Sequence, residues 1–129
     1  MSTEPTKQLK VLCIEDEFFI SELYKRALTK AGYDVTMELD GHRGLALARS
    51  DAFDIILLDL MLPSMTGIEI LRSLRHENPN LKARIIITTN LDQSDEIRAN
   101  IEQQADGYLV KANITPRELV AFLQQLPQN

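Results

Sequence analysis

The chain has 129 residues, of which 44% are hydrophobic and 26% charged, with a formal net charge of −5 at pH 7. This length suits one domain with a sizeable core, and the ordinary composition excludes a low-complexity or fibrous protein. The acidic balance argues against a nucleic-acid-binding surface, which is normally basic. No apolar run approaches the ~20 residues of a membrane span, and no apolar signal segment opens the chain. We therefore expect a cytoplasmic protein with no direct DNA contact and no membrane contact.

Alternating apolar patterns divide the chain into five strand-like segments, each followed by a helix-like segment. The strand-like segments are 9–14, 33–39, 53–58, 84–88 and 108–110. The third contains four consecutive apolar residues, Ile55–Leu58, as is typical of a buried strand in a parallel sheet. Five such βα units imply right-handed crossovers. The fold class predicted is α/β, a doubly wound five-stranded parallel sheet.

Helix boundaries carry their own signals. Gly32 predicts the end of the first helix, and Thr115–Glu118 predicts the start of the last through a capping box with Pro at the first helical position. Asp40–Gly41 predicts a turn, whereas Asp92 and Asp95 predict caps of the fourth helix.

The chain ends and the single cysteine add little chemistry. The composition of residues 1–8 predicts a disordered N-terminal arm. We expect the folded domain to span residues 9–126 and a short tail to follow at 127–129. Cys13 lies in the first predicted strand, so we expect a structural thiol and no intramolecular disulfide.

Charged and hydroxyl side chains stand at the ends of four predicted strands. They are Glu15, Asp16, Glu17, Asp59, Thr88, Thr89 and Lys111. Because the carboxyl ends of parallel strands share one edge, we expect these groups to converge. Clustered carboxylates repel one another, and Mg2+, which prefers oxygen ligands, relieves that repulsion. A Lys and a Thr nearby suit a phosphoryl group, so the pattern predicts phosphoryl transfer onto an Asp carboxylate. The alternative is that the acidic groups cap helix N-termini, and for Glu17 alone we favour it.

These residues resemble the receiver domain of two-component response regulators, from about Lys10 to Leu126. The matching residues are Glu15–Asp16, Asp59 with Leu60–Pro63 and Gly67, Thr89, Tyr108 and Lys111. The resemblance implies a flavodoxin-like (βα)5 fold with strand order 2-1-3-4-5. It also implies a switch that receives phosphate from a histidine kinase or a phosphotransfer protein and acts on a downstream protein.

The resemblance assigns metal and phosphoryl roles to individual residues. Asp59 is the implied phosphoacceptor. Asp16 binds Mg2+ directly, Glu15 through water, and Met61 through its backbone carbonyl.

Three further roles follow from the same resemblance. Thr89 hydrogen-bonds a phosphoryl oxygen, Lys111 pairs with the phosphoryl group, and Tyr108 is an aromatic switch beside Thr89. Thr88 and Thr89 face opposite sides of a strand, and the spacing to Lys111 favours Thr89.

The chain departs from the family pattern at several positions. Glu15 replaces the usual first Asp, Asn90 stands where a small residue is usual, and Ala112 replaces a Pro. A cis bond before Ala costs about 3–4 kcal/mol, so we predict a trans bond there. Met61 and Leu91 flank the approach of water to an acyl phosphate, and neither can orient an attacking water. We therefore expect slow self-dephosphorylation.

Other functions remain as alternatives. One is a pseudo-receiver, an interaction domain that never accepts phosphate. A second is a Mg2+-dependent phosphatase, disfavoured because Met61 cannot supply a second acid. A third is FMN binding, disfavoured because Gly41 and Gly44 do not form a phosphate-cradling loop.

The sequence also bears on the output and the assembly of the protein. Met1 and the polar tail favour a stand-alone receiver over one cut before an output domain. We expect His42 and His76 to be surface residues. The polar face of the fourth helix, around Arg98 and Glu102, fits a monomer or a weak dimer.

Overall fold

The computed structural model describes residues 8–127, so most of the predicted N-terminal arm and residues 128–129 lie outside the described part. Strands and helices alternate throughout it. They are β1 (Lys10–Ile14), α1 (Phe18–Lys30), β2 (Asp34–Glu38), α2 (Gly41–Arg49), β3 (Ile55–Asp59), α3 (Gly67–Glu77), β4 (Arg84–Thr89), α4 (Asp95–Glu102), β5 (Gly107–Val110) and α5 (Pro116–Gln124). A single 3-10 turn, Lys111–Asn113, follows β5.

The five strands form one parallel sheet in the order β2-β1-β3-β4-β5, which confirms the predicted fold. Every residue of β3 is buried, as expected for the central strand. Asp59 is its last residue and lies opposite Thr88 of β4. The sheet therefore delivers Asp59 to the edge where the neighbouring strands also end.

Two apolar layers cover the sheet, one on each face. Ile56 and Leu58 of β3 pack with residues of α2, α3 and α4. Ile55 and Leu57 point the other way and pack with residues of α1 and α5, as the period of two in a strand requires. Cys13 belongs to the second layer and is buried, and burial raises the pKa of its thiol. These features confirm the expected structural role of that thiol.

Most predicted boundaries hold, but two are wrong. Gly32 has φ of +99° and follows α1, and Thr115 and Glu118 form the expected capping box. Asp40 accepts a hydrogen bond from the Arg43 amide, so the predicted Asp40–Gly41 turn is instead the start of α2.

The cap of α4 is Ser94 rather than Asp92 or Asp95. The Ser94 hydroxyl accepts from the Ile97 amide, while Asp95 already lies in the first turn and the Asp92 carboxylate is bonded elsewhere. A hydroxyl three residues before the amide is the usual capping geometry.

The peptide bond between Lys111 and Ala112 is trans, as predicted, since residues 8–127 contain no cis peptide bond. Among the same residues, none of the helices combines the length and apolar character needed to cross a bilayer.

Gly67 allows α3 to begin directly against the end of β3. A Cβ at this position would overlap the Asp59 carbonyl oxygen and lie 2.9 Å from Leu60 Cα. Both neighbours are backbone atoms and cannot rotate away. We expect Gly67→Ala to lower the free energy of unfolding by about 2 kcal/mol, measured by urea denaturation.

Gly107→Ala is the matched control for this prediction. Its Cβ would meet the ends of the Ile86 and Phe122 side chains, at 2.9 and 3.0 Å, and side-chain ends can shift. A larger loss of stability for Gly107→Ala than for Gly67→Ala would contradict the prediction.

Candidate functional site

Three carboxylates meet at the carboxyl edge of the sheet. Glu15 and Asp16 follow β1, Asp59 ends β3, and each offers an oxygen within 4.8 Å of the others. Glu15 and Asp59 are only 1% and 2% exposed, whereas Asp16 is partly open to solvent. Three carboxylate oxygens with one side open are a donor set that fits Mg2+, which binds a few carboxylates and keeps several waters.

Lys111 is the cation of this cluster. Its Nζ lies 3.2 Å from Asp59 Oδ2 and donates a hydrogen bond to Glu15 Oε1. The side chain is buried, and burial alone would lower the pKa of Lys111. The hydrogen bond to Glu15 and the charge of Asp59 outweigh burial and raise that pKa, so the ammonium group remains charged.

The charged form of Asp59 is less favoured by its surroundings than the charged form of Lys111. Burial and the negative charge of Glu15 raise the pKa of Asp59 to about 7, although Lys111 and a hydrogen bond from the Met61 amide oppose the shift. That amide donates to Asp59 Oδ1 at 3.2 Å. One ammonium group therefore does not compensate two buried carboxylates, and the site favours a further cation.

Both oxygens of Glu15 are already engaged. Oε1 accepts from Lys111, and Oε2 accepts from the Glu17 amide at 3.1 Å. The Glu15 side chain, which is longer than the usual Asp, thus contacts both Lys111 after β5 and the backbone of the β1–α1 loop.

Thr88 and Thr89 end β4, and both are buried. The Thr89 hydroxyl donates to the Leu91 carbonyl at 2.9 Å, within the loop that leads to α4. The structure thus brings Glu15, Asp59 and Lys111 into contact, whereas Thr89 makes its hydrogen bond outside that cluster.

Tyr108 lies under the same loop and is 9% exposed. Its hydroxyl donates to Asp92 Oδ1 at 3.0 Å and accepts from the Gln93 amide at 2.9 Å. The Arg98 guanidinium stands 4.6 Å from the ring centroid and 3.4 Å from Asp92. Tyr108 therefore ties β5 to the β4–α4 loop and to α4.

Asp92 is the residue whose role the sequence analysis missed. Its partners, Arg98 and Tyr108, lie six and sixteen positions away, and no local pattern joins those positions. The only sequence signal was a carboxylate in the loop that follows Thr89.

Glu17 and Asn90 meet at the rim of the site. Glu17 occupies the N-cap position of α1, as predicted, but its side chain makes no capping hydrogen bond. Its Oε1 accepts from the Asn90 amide at 3.2 Å instead. The unusual residue at position 90 thus links the β4–α4 loop to the β1–α1 loop.

The remaining residues named from the sequence are two apolar side chains at the rim of the site and two histidines elsewhere on the surface. Met61 and Leu91 are 65% and 76% exposed, so the rim of the site is apolar where water would approach. His42 and His76 are exposed on α2 and α3, as expected for surface residues.

Comparison with known proteins gives a consistent family match. The sequence model of the response regulator receiver domain matches residues 11–124. Response regulator ArlR of Staphylococcus saprophyticus is 41% identical over 102 residues, which cover 79% of this chain and 45% of ArlR. ArlR of Staphylococcus aureus is 40% identical over the same length. The chain thus spans less than half the length of these relatives.

Solved structures give the same result. Chemotaxis protein CheY4 of Vibrio cholerae superposes with a TM-score of 0.81 at 30% identity, covering 94% of this chain and all of that one. A CheY-like receiver domain protein of Methanospirillum hungatei gives 0.81 at 25% identity, covering 92% of this chain and 93% of its own.

Proposed function

The chain belongs to the response regulator receiver domain family, and from this we propose that it is a phosphorylation switch whose phosphoacceptor is Asp59. The observation that carries the proposal is the buried Asp59 carboxylate, which lies 3.2 Å from Lys111 and within 4.8 Å of the carboxylates of Glu15 and Asp16. We assign residues 9–126 to the receiver domain.

In the proposed reaction, a carboxylate oxygen of Asp59 attacks the phosphorus of a phosphohistidine on a histidine kinase or phosphotransfer protein. The phosphorus–nitrogen bond breaks as the new phosphorus–oxygen bond forms, leaving an acyl phosphate on Asp59. The Met61 amide orients one carboxylate oxygen before the reaction. Lys111 keeps its proton and pairs with the transferred group, and little reorganisation is needed because the ammonium is already in place.

Mg2+ fits the donor set and, when bound, would offset the negative charge that gathers on the carboxylates and the incoming phosphoryl group. We propose Asp16 and Asp59 as direct ligands, together with the Met61 backbone carbonyl. Glu15 would act through water. The engagement of both Glu15 oxygens by Lys111 and the Glu17 amide supports that indirect role.

The proposed switch runs from Thr89 to Tyr108. The Thr89 hydroxyl would leave the Leu91 carbonyl and donate to a phosphoryl oxygen, which would free the β4–α4 loop to rearrange. Tyr108 is bonded to Asp92 and Gln93 of that loop, so the movement passes to β5 and α4. Different contacts in the two states are what a ligand-driven switch requires. A downstream protein would read the resulting change on the α4–β5–α5 face.

Intact-mass spectrometry after incubation with acetyl phosphate tests the proposal. We expect a phosphoryl adduct in Mg2+ buffer and none in EDTA, since the metal offsets the charge of the transferred group. An absence of adduct in Mg2+ would contradict phosphorylation. It would leave a constitutive interaction domain as the function.

Once formed, the acyl phosphate is expected to decay slowly. Met61 and Leu91 carry no group that can orient water, so we expect a half-life much longer than seconds in purified protein with Mg2+. Met61→Asn adds an amide beside Asp59 and should accelerate decay several-fold, followed by intact mass over time. Leu47→Asn, an exposed α2 position, is the control. A wild-type half-life of seconds would contradict this prediction.

A further inference from the structure

α1 and α5 leave an open groove between them, on the face of the sheet opposite α2, α3 and α4. Its volume is about 640 Å³. The lining residues are Ala27, Lys30, Ala31, Thr115, Pro116, Arg117 and Val120. The phosphoacceptor cluster contributes none of them, so the groove is separate from the proposed phosphorylation site.

The floor of the groove is apolar and its side chains are small. Ala27 and Ala31 lie four residues apart at the end of α1, and Pro116 and Val120 lie four apart on α5, so each pair shares a helix face. Because the distance between packed helices depends on the side chains at the contact, these small residues allow another helix to approach α1 and α5 closely.

The polar part of the lining is cationic. Lys30 and Arg117 are both exposed, and within residues 8–127 neither has a carboxylate within 4.0 Å. No lining residue is acidic. The charge of the groove is thus opposite to the net charge of −5 carried by the whole chain.

The positive character continues along α1. Lys25 and Arg26 line an adjoining hollow that shares Lys30 with the groove. Glu22 also lines that hollow and is the only carboxylate on the helix. Cations that lack a carboxylate partner among residues 8–127 are available to carboxylates of another molecule, which gives selectivity for acidic partners and faster association.

We propose that this groove binds an acidic amphipathic helix of a partner protein. Apolar side chains at positions i, i+3, i+4 and i+7 of the partner would fill the floor. Carboxylates flanking that stripe would pair with Lys30 and Arg117. A groove this open suits a helix better than a small molecule, whose sites normally enclose most of the ligand. The inference goes beyond the proposed phosphorylation and does not depend on it.

Amide chemical-shift mapping on the 15N-labelled full chain provides the test. The probes are synthetic helical peptides of about 14 residues, with Leu on one stripe and Glu on the flanks, in several stripe registers. Peptides in which Lys replaces every Glu are the controls. Acidic peptides are expected to shift the amides of 27–31, Thr115 and 117–120, and binding should weaken as NaCl is raised.

Charge reversal provides the second arm. The variant Lys30→Glu/Arg117→Glu should weaken binding of the acidic peptides at least about tenfold, whereas Arg43→Glu on α2 and Asp59→Asn should leave it unchanged. Lys30→Gln/Arg117→Gln, a milder change at the same exposed positions, covers the case in which the reversed variant does not fold. Failure of every acidic peptide to bind would overturn the proposal. Equal binding of the Lys peptides, or shifts confined to other surfaces, would also overturn it.

Discussion

The Asp59→Asn protein is expected to gain no phosphoryl group from acetyl phosphate under conditions that label the wild type. The reason is chemical, because an amide lacks the anionic oxygen that attacks phosphorus. Asn is nearly the same size as Asp, and its single oxygen can still accept from the Met61 amide, while its NH2 group replaces the oxygen that faces Lys111. The loss of labelling would therefore report the missing nucleophile rather than a disrupted site.

Intact mass with and without Mg2+ measures this outcome. Asp34→Asn, an exposed position at the start of β2, is the control and should be labelled like the wild type. A labelled Asp59→Asn protein would place the phosphoacceptor elsewhere and contradict the assignment.

The same variant has a pH-dependent effect on stability. Burial and Glu15 raise the pKa of Asp59 from 3.8 to about 7, so the folded protein binds this proton more tightly than the unfolded chain. The stabilising contribution is present at acid pH and is lost as the pH rises from about 4 to about 7. The amide of the Asp59→Asn protein cannot titrate. In EDTA, the stability advantage of this variant over wild type should therefore grow across that window, reaching about 4 kcal/mol at about 1.4 kcal/mol per pKa unit.

Urea denaturation at a series of pH values measures the difference between the two proteins, in which the contributions of titrating groups remote from Asp59 cancel. A constant difference from about pH 4 to about pH 8 would contradict a raised pKa for Asp59.

The second large effect is expected from Lys111→Met in metal-free buffer. Lys111 contacts Glu15 and Asp59, which are both buried, and its removal leaves two carboxylates without a cation. Breaking a buried ion pair in this way typically costs about 3–5 kcal/mol. We expect a loss of that size in the free energy of unfolding, and partial recovery when Mg2+ is added, since the metal binds only the folded site.

A double-mutant cycle separates lost charge from lost packing. In the Asp59→Asn background, Lys111→Met leaves one buried carboxylate rather than two, so its cost should be smaller. Lys111→Arg keeps the charge and should cost less than Lys111→Met. An equal cost in both backgrounds would show that the lysine acts through its methylene groups rather than through its charge.

Much of the fold was predictable because it rests on local periodicity. The apolar run Ile55–Leu58 marked the central strand, and β3 is buried throughout. The alternation of five strands with five helices predicted a doubly wound sheet, and the resemblance to the receiver family implied the strand order that is observed. The shared edge of a parallel sheet then predicted that Glu15, Asp16, Asp59 and Lys111 would converge, as they do.

The sequence-based predictions that were wrong concern the hydrogen-bond partners of polar side chains. Ser94 caps α4 while Asp92 turns to Tyr108, although both are plausible capping residues by sequence. Glu17 holds the cap position as predicted, but its side chain bonds to Asn90. In each case the competing partner lies on another strand or loop, and its distance is not encoded in the local pattern.

The sequence by itself therefore determined the architecture and the inventory of the site, since both follow from apolar periodicity and from the residues that end each strand. Only the tertiary structure decided the connections. These include the contact of Lys111 with both Glu15 and Asp59, the hydrogen bond from Thr89 to Leu91, and the cationic groove between α1 and α5. Such pairings depend on the separation of segments far apart in the chain, and that separation is set by how the helices pack on the sheet.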